Sequence, residues 1–155
     1  MVVKKTYRLT KEGVAELRLE LDSLTAERAE IAESIRTARE FGDLAENSEY
    51  QSARAAQDRN ESRISEIEHI LQNVELIKAP RGSAKVQLGS KVSLKGEGGT
   101  TKEFQIVGTV EADPLNGKIS DESPIGKALI GKHENDEVEI KTPVENAIYK
   151  IVEIA

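Results

Sequence analysis

From Val14 onward, apolar side chains recur in alternating steps of three and four: Val14, Leu17, Leu21, Leu24, Ile31, Ile35 and Ala38, with Arg28 filling the one slot that breaks the run. That spacing puts them on one narrow helical stripe, the seam of a coiled coil. A second seam follows at Ala53, Gln57, Asn60, Ile64, Ile67, Leu71 and Val74, and no proline occurs before Pro80. Thr10 is placed to cap the first helix, and Gly42 to end it by adopting positive φ without steric cost. Two helices of similar length joined by a short bend pack as an antiparallel hairpin. A bend near residue 44 sets Val14 opposite Val74 and brings Arg28 level with Gln57 and Asn60, which predicts a polar layer that fixes register. About thirty residues of helix at ~1.5 Å each make an arm of roughly 45 Å.

After Ala79-Pro80-Arg81-Gly82-Ser83 the period changes. Short β-type runs appear at 91–94, 103–110, 136–141 and 147–154, separated by glycine, proline, asparagine and aspartate. Between them, 123–131 reads as a short helix with Ser123 as N-cap and Pro124 in the first turn, where its missing N–H is harmless. Gly96-Glu97-Gly98-Gly99 is too short, and too far from a helix start, to cradle phosphate; it reads as a hairpin turn. The chain is thus read as α+β: a coiled-coil hairpin domain over 1–79, a linker over 80–85, and a small antiparallel β-sheet domain with one short helix over 86–155.

Twenty-two basic residues against twenty-eight acidic ones leave a net charge of −6, so the chain as a whole repels nucleic acid and any such contact must be local. Without cysteine there is no disulfide framework, thiolate metal site or thiol nucleophile. With neither a long apolar run nor a signal-like start, the expected location is the cytoplasm, away from membranes. Every basic side chain between Glu12 and Ile77 is arginine (18, 28, 36, 39, 54, 59, 63), whereas every one after Gly82 is lysine. Arginine's planar fork suits two-bonded contacts to carboxylate or phosphate. For most of the seven the simpler expectation is pairing with the abundant glutamates of the helices.

The bend itself, GDLAENSEY over 42–50, carries three carboxylates, Asp43, Glu46 and Glu49. Read structurally, Asp43 as N-cap and Glu46 three residues on form a capping box at a helix N-terminus. Read functionally, they are hard oxygen ligands, and Mg²⁺ is commonly held by one or two carboxylates with other donors completing its shell. An exposed tip cannot enclose an ion, so the second reading requires a finger that enters another molecule's active site. Arg39 and Arg54 flank the bend and are placed to bind the phosphates of a chain being cut; their structural alternative is an ion pair to Glu40 or Glu49.

The segments AREFGDLAENSEY (38–50) and QSAR (51–54) closely resemble the tip of the Gre family of bacterial transcript cleavage factors, and SPIGKALIGK (123–132) with EIKTP (139–143) resembles the family's C-terminal domain. The likeness spans essentially the whole chain. It implies an FKBP-like second domain and a protein that is not itself an enzyme. Such a protein inserts its hairpin into the secondary channel of RNA polymerase and stimulates the polymerase's own cleavage of backtracked RNA at the nascent 3′ end. Carried over residue by residue, Asp43 and Glu46 are the catalytic acids that help hold a Mg²⁺ shared with the polymerase and not bound by the free protein. Asn47, Glu49 and Tyr50 support the tip, and Arg39 and Arg54 contact RNA. Asp121, Glu122, Ser123 and Pro124 meet the helical coiled coil at the channel rim, although helix capping alone also accounts for the last pair. A monomer is expected. Two other classes remain at this stage: a Gre-like channel binder that inhibits the polymerase, and a coiled-coil scaffold or chaperone for which the tip charge is incidental.

Overall fold

The structure is a computed structural model that describes residues 5–43, 45–78, 85–141, 143 and 146–155. Leu44 at the bend and all but Lys85 of the expected linker lie outside the described residues. The chain forms two compact units, Val14–Asn73 on the one hand and Met1–Gly13 with Val74–Ala155 on the other.

The first unit is built on helices α1 (Lys11–Arg39) and α2 (Ser48–Gln72). Their cross-helix partners rise along α1 as they fall along α2: Glu20 meets Arg63, Leu24 meets Asn60 and Ala38 meets Asn47, which is the expected antiparallel hairpin. Leu17, Ile35 and Ala38 are buried on α1, and Ala53, Asn60, Ile64, Ile67 and Ile70 on α2. The seam follows the heptads until the last turn of α2, where Ile70 rather than Leu71 is buried.

The polar layer is present. Arg28, Ile31, Gln57, Asn60 and Glu61 line a cavity of about 190 Å³ in the seam. Asn60 is only 6% exposed and donates to the Leu24 carbonyl at 3.0 Å, but its Oδ1 has no partner among the described residues. Arg28 grips Glu61 with both arms of its guanidinium, at 2.8 and 2.9 Å. Arg63 does the same to Glu20, at 2.7 and 3.0 Å. Both forks cross between the helices, whereas Arg36 pairs along its own helix with Glu33 and Glu40.

The second helix stops earlier than its apolar run suggests. Asn73 turns its side chain back onto the His69 carbonyl at 2.8 Å and caps the helix. Val74–Leu76 then forms strand β2, parallel to β1 (Tyr7–Leu9), with Val74 opposite Tyr7 instead of the expected Val14. Asparagine ends the helix by offering its carbonyls a competing partner, and the β-branched and extended Val-Glu-Leu-Ile stretch then finds an edge to pair with.

The larger unit is organised by a five-stranded sheet in the order β5-β4-β3-β7-β6, comprising β3 (Lys91–Gly96), β4 (Thr101–Val107), β5 (Lys118–Ser120), β6 (Glu137–Lys141) and β7 (Asn146–Ile154). All neighbours are antiparallel except β4 and β5, which run parallel. Alternate residues of these strands, with Leu129 of the short helix α3 (Pro124–Leu129), form one aliphatic core against which Phe104 and Tyr149 pack. The first turn of α1 also belongs to this unit. Thr10 caps it, its Oγ1 accepting from Gly13 at 3.1 Å, while Glu111 accepts from the Thr10 N–H at 2.8 Å and from its hydroxyl at 2.6 Å. The helix dipole favours a carboxylate at this N-terminus, and the Lys118 ammonium 3.9 Å from Glu111 adds to it, so a glutamate only 9% exposed is compensated.

Two outcomes follow for the hairpin. Hydrogen bonding from Arg63 is the main cause that holds the Glu20 carboxyl below its ordinary range, against a smaller opposing effect of burial. A depressed carboxylate contributes stability above its unfolded value and loses it as pH falls through the folded one. Glu20→Gln is therefore expected to cost at most about 1 kcal/mol near neutral pH, the pair being solvent-screened. Chemical denaturation at a series of pH values should show that gap closing below about pH 4. Asn60→Leu removes a buried acceptor without a partner, so thermal unfolding followed by helical circular dichroism should shift upward by a few degrees. A lower midpoint would mean that the layer contributes net stability.

Candidate functional site: the hairpin tip

Helix α1 frays into turn-type bonds at its end, with Phe41 N–H donating to Ala38 and Gly42 N–H to Arg39. Gly42 then takes φ +106°, as expected of a glycine at this point, although it lies three residues past the last helical residue. The chain re-enters helix at Ser48, and the residue that caps α2 is Asn47. Its Oδ1 accepts from the N–H groups of Glu49 and Tyr50 at 3.1 and 3.2 Å. Its Nδ2 crosses the hairpin to the Ala38 carbonyl at 2.8 Å.

This overturns the capping-box reading of the acids. Asp43 lies four residues before the cap, and among the described residues its Oδ1 accepts only from Ala45 N–H at 3.0 Å. Glu46 precedes the cap and makes no hydrogen bond or ion pair among the described residues. Both are exposed, as is Glu49 in the first turn of α2. Gln51, to which sequence reasoning gave no role, braces the loop by donating to the Ala45 carbonyl at 2.8 Å. A local signal was available: glutamine four residues into a helix can fold back over its own N-terminal loop.

Neither flanking arginine has the expected carboxylate partner among the described residues. Arg39 lays its guanidinium over the half-buried Tyr50 ring, 5.9 Å from the centroid. Arg54 donates to Gln57 at 3.0 Å. The tip thus offers two acids and two cations with their charges uncompensated by one another.

Among the described residues no cluster of three or more histidine, cysteine, aspartate or glutamate side chains is assembled to hold a metal ion. The donor chemistry fits a hard cation all the same: the second oxygen of Asp43 and both of Glu46 are unengaged carboxylate oxygens, the kind Mg²⁺ takes singly or in pairs. Alone they would supply only part of a coordination shell, and donors from elsewhere would have to complete it.

The C-terminal candidates are gathered where β5 leads into α3. Ser123 is engaged in structure, its Oγ accepting from Gly126 N–H at 3.1 Å and donating to the Ser120 carbonyl at 2.6 Å. Asp121 is half-buried and its N–H is bound to Val107 O, whereas Glu122 and Pro124 are exposed, Glu122 accepting from the Thr109 hydroxyl at 3.0 Å.

Comparison with known proteins bears on the family of the chain. Residues 7–76 match the family described as "Transcription elongation factor, N-terminal", and residues 81–155 match "Transcription elongation factor, GreA/GreB, C-term". Proteins named transcription elongation factor GreA from Macrococcus caseolyticus and Bacillus velezensis are 44% and 43% identical to it, each aligned over 100% of both chains. A solved structure of the transcription factor Gfh1 is 30% identical, covering 98% of this chain and 99% of its own, with a TM-score of 0.48. By both halves of its sequence and by full-length relatives, the chain belongs to the GreA/GreB family of transcription elongation factors.

Proposed function

We propose that this elongation factor works on RNA polymerase that has slid backwards: the α1–α2 tip enters the polymerase's secondary channel and stimulates cleavage of the extruded RNA by the polymerase itself. The observation that carries this reading is the state of the two acids. A capping box would have consumed Asp43 and Glu46 in local structure; with Asn47 as the cap, both stay exposed with oxygens to spare. A Mg²⁺ held between these oxygens and ligands of the polymerase would supply an activated water for cleavage. The chain's own part is to deliver carboxylates at the end of a narrow rod and to keep them there through Asn47 and Gln51. The polymerase remains the enzyme.

Arg39 and Arg54, without carboxylate partners among the described residues, are the groups for the RNA phosphates, and Glu49 and Tyr50 support the tip from the first turn of α2. At the other unit, Glu122 and Pro124 present the exposed edge for the rim coiled coil, with Ser123 and Asp121 shaping the turn beneath them. No helix among the described residues is long and apolar enough to cross a membrane. A cytoplasmic monomer accords with a partner that works on the chromosome.

The test uses stalled, backtracked elongation complexes. Asp43→Asn and Glu46→Gln keep shape and remove a ligand charge, so each should bind polymerase normally and lose stimulation by roughly 10–100-fold or more. Variants that stimulate as well as the parent would remove the tip from the chemistry. Arg54→Glu should slow RNA shortening while leaving affinity for RNA-free polymerase within about twofold, as expected of a phosphate contact. Equal loss of both would make Arg54 a polymerase contact instead.

A further inference from the structure

We infer that Phe41 is a stacking platform for a base of the extruded RNA; the inference rests on the cleavage reading above and names a further contact of the same site. The chain has two phenylalanines, three tyrosines and no tryptophan. Phe104 and Tyr149 pack on the aliphatic core, and Tyr50 is half-buried with the Arg39 guanidinium over its ring. Phe41 is different: it is 71% exposed, two residues from Arg39 on one side and from Asp43 on the other.

A single exposed apolar residue is ordinary on a protein surface. This one sits in the turn that ends α1, with Phe41 N–H donating to Ala38 at 3.2 Å and Gly42 N–H to Arg39 at 3.4 Å. The next residue is a glycine whose absent Cβ would meet nothing within 4 Å, so the space beside it is open. A large ring is thus held out in water beside the exposed acids and guanidinium groups of the tip.

Single-stranded RNA is recognised by bases that stack on aromatic faces while cations hold the backbone, and stacking tolerates any base because each has a π-face. The tip carries both halves of that arrangement: Arg39 and Arg54 for phosphate, Phe41 for the base. Acids alone would repel the RNA they act beside. A neutral ring between Arg39 and Asp43 lets a base approach and fixes the scissile end relative to the carboxylates.

The experiment compares Phe41→Ala, Phe41→Leu and Phe41→Trp with the parent, on backtracked complexes that extrude either adenosine or an abasic ribose at the RNA 3′ end. Circular dichroism confirms that each hairpin is helical. With adenosine, Ala and Leu should each raise the concentration of factor giving half-maximal cleavage about tenfold, and Trp should restore it. With the abasic end, the penalty should vanish. Leu performing like Phe, or a penalty that persists on the abasic end, overturns stacking in favour of a plain apolar contact. In the same assay, loss of stimulation by Asp43→Asn alongside indifference to Phe41 sinks only this inference. Indifference to both residues sinks the cleavage reading, and the stacking contact with it.

Discussion

The joining of the two helices at the tip depends on one amide side chain. Asn47 accepts from two N–H groups of the first turn of α2 and donates to the last turn of α1, closing the hairpin with a single residue. An asparagine is suited to this because its oxygen and nitrogen face different partners, whereas an aspartate would meet the Ala38 carbonyl with a second acceptor. Its consequence is electrostatic: with capping settled by a neutral group, Glu46 is left without a hydrogen-bond or ion-pair partner among the described residues and Asp43 keeps one carboxylate oxygen unengaged. Charge that a fold does not require, concentrated at the end of a rod, is available to a partner.

The rod is held together by unlike means along its length. Aliphatic burial dominates toward both ends of α2's buried face, while the middle is a polar layer flanked by two arginine forks. Bidentate pairs of this kind impose geometry more than they add stability, since each remains substantially exposed. The buried Asn60, with an unpartnered oxygen, carries a cost that hydrophobic residues would not. Such a layer makes sense where correct register matters more than maximal stability: a slip of one heptad would move Asn47 away from the Ala38 carbonyl and dismantle the tip.

Much of this was readable from residue spacing. The heptads located both helices and their direction, and the coincidence of Arg28 with Gln57 and Asn60 located the polar layer. Thr10 and Ser123 were recognisable as caps because each precedes its helix by one residue. Four features were not readable, each for a physical reason. Asp43 and Asn47 are both good N-caps, and only tertiary contact with Ala38 decides between them. The helix-to-strand change at Asn73 interrupts an apolar pattern compatible with either state, and β1, the strand that decides it, lies more than sixty residues away. Glu111 reads as one acid among many in a loop; that it binds Thr10, 101 residues earlier, is a fact of packing. At three residues, β5 is too short to show a period at all.

The central claim is that the tip completes a coordination shell inside the polymerase, and metal dependence tests it most directly. RNA cleavage by backtracked polymerase is measured across a Mg²⁺ titration, alone, with this chain, and with the Asp43→Asn, Glu46→Gln double variant. The account predicts that the chain lowers the Mg²⁺ concentration needed for half-maximal cleavage by about tenfold or more and that the double variant abolishes the shift. An unchanged Mg²⁺ requirement, with cleavage still accelerated, would contradict it.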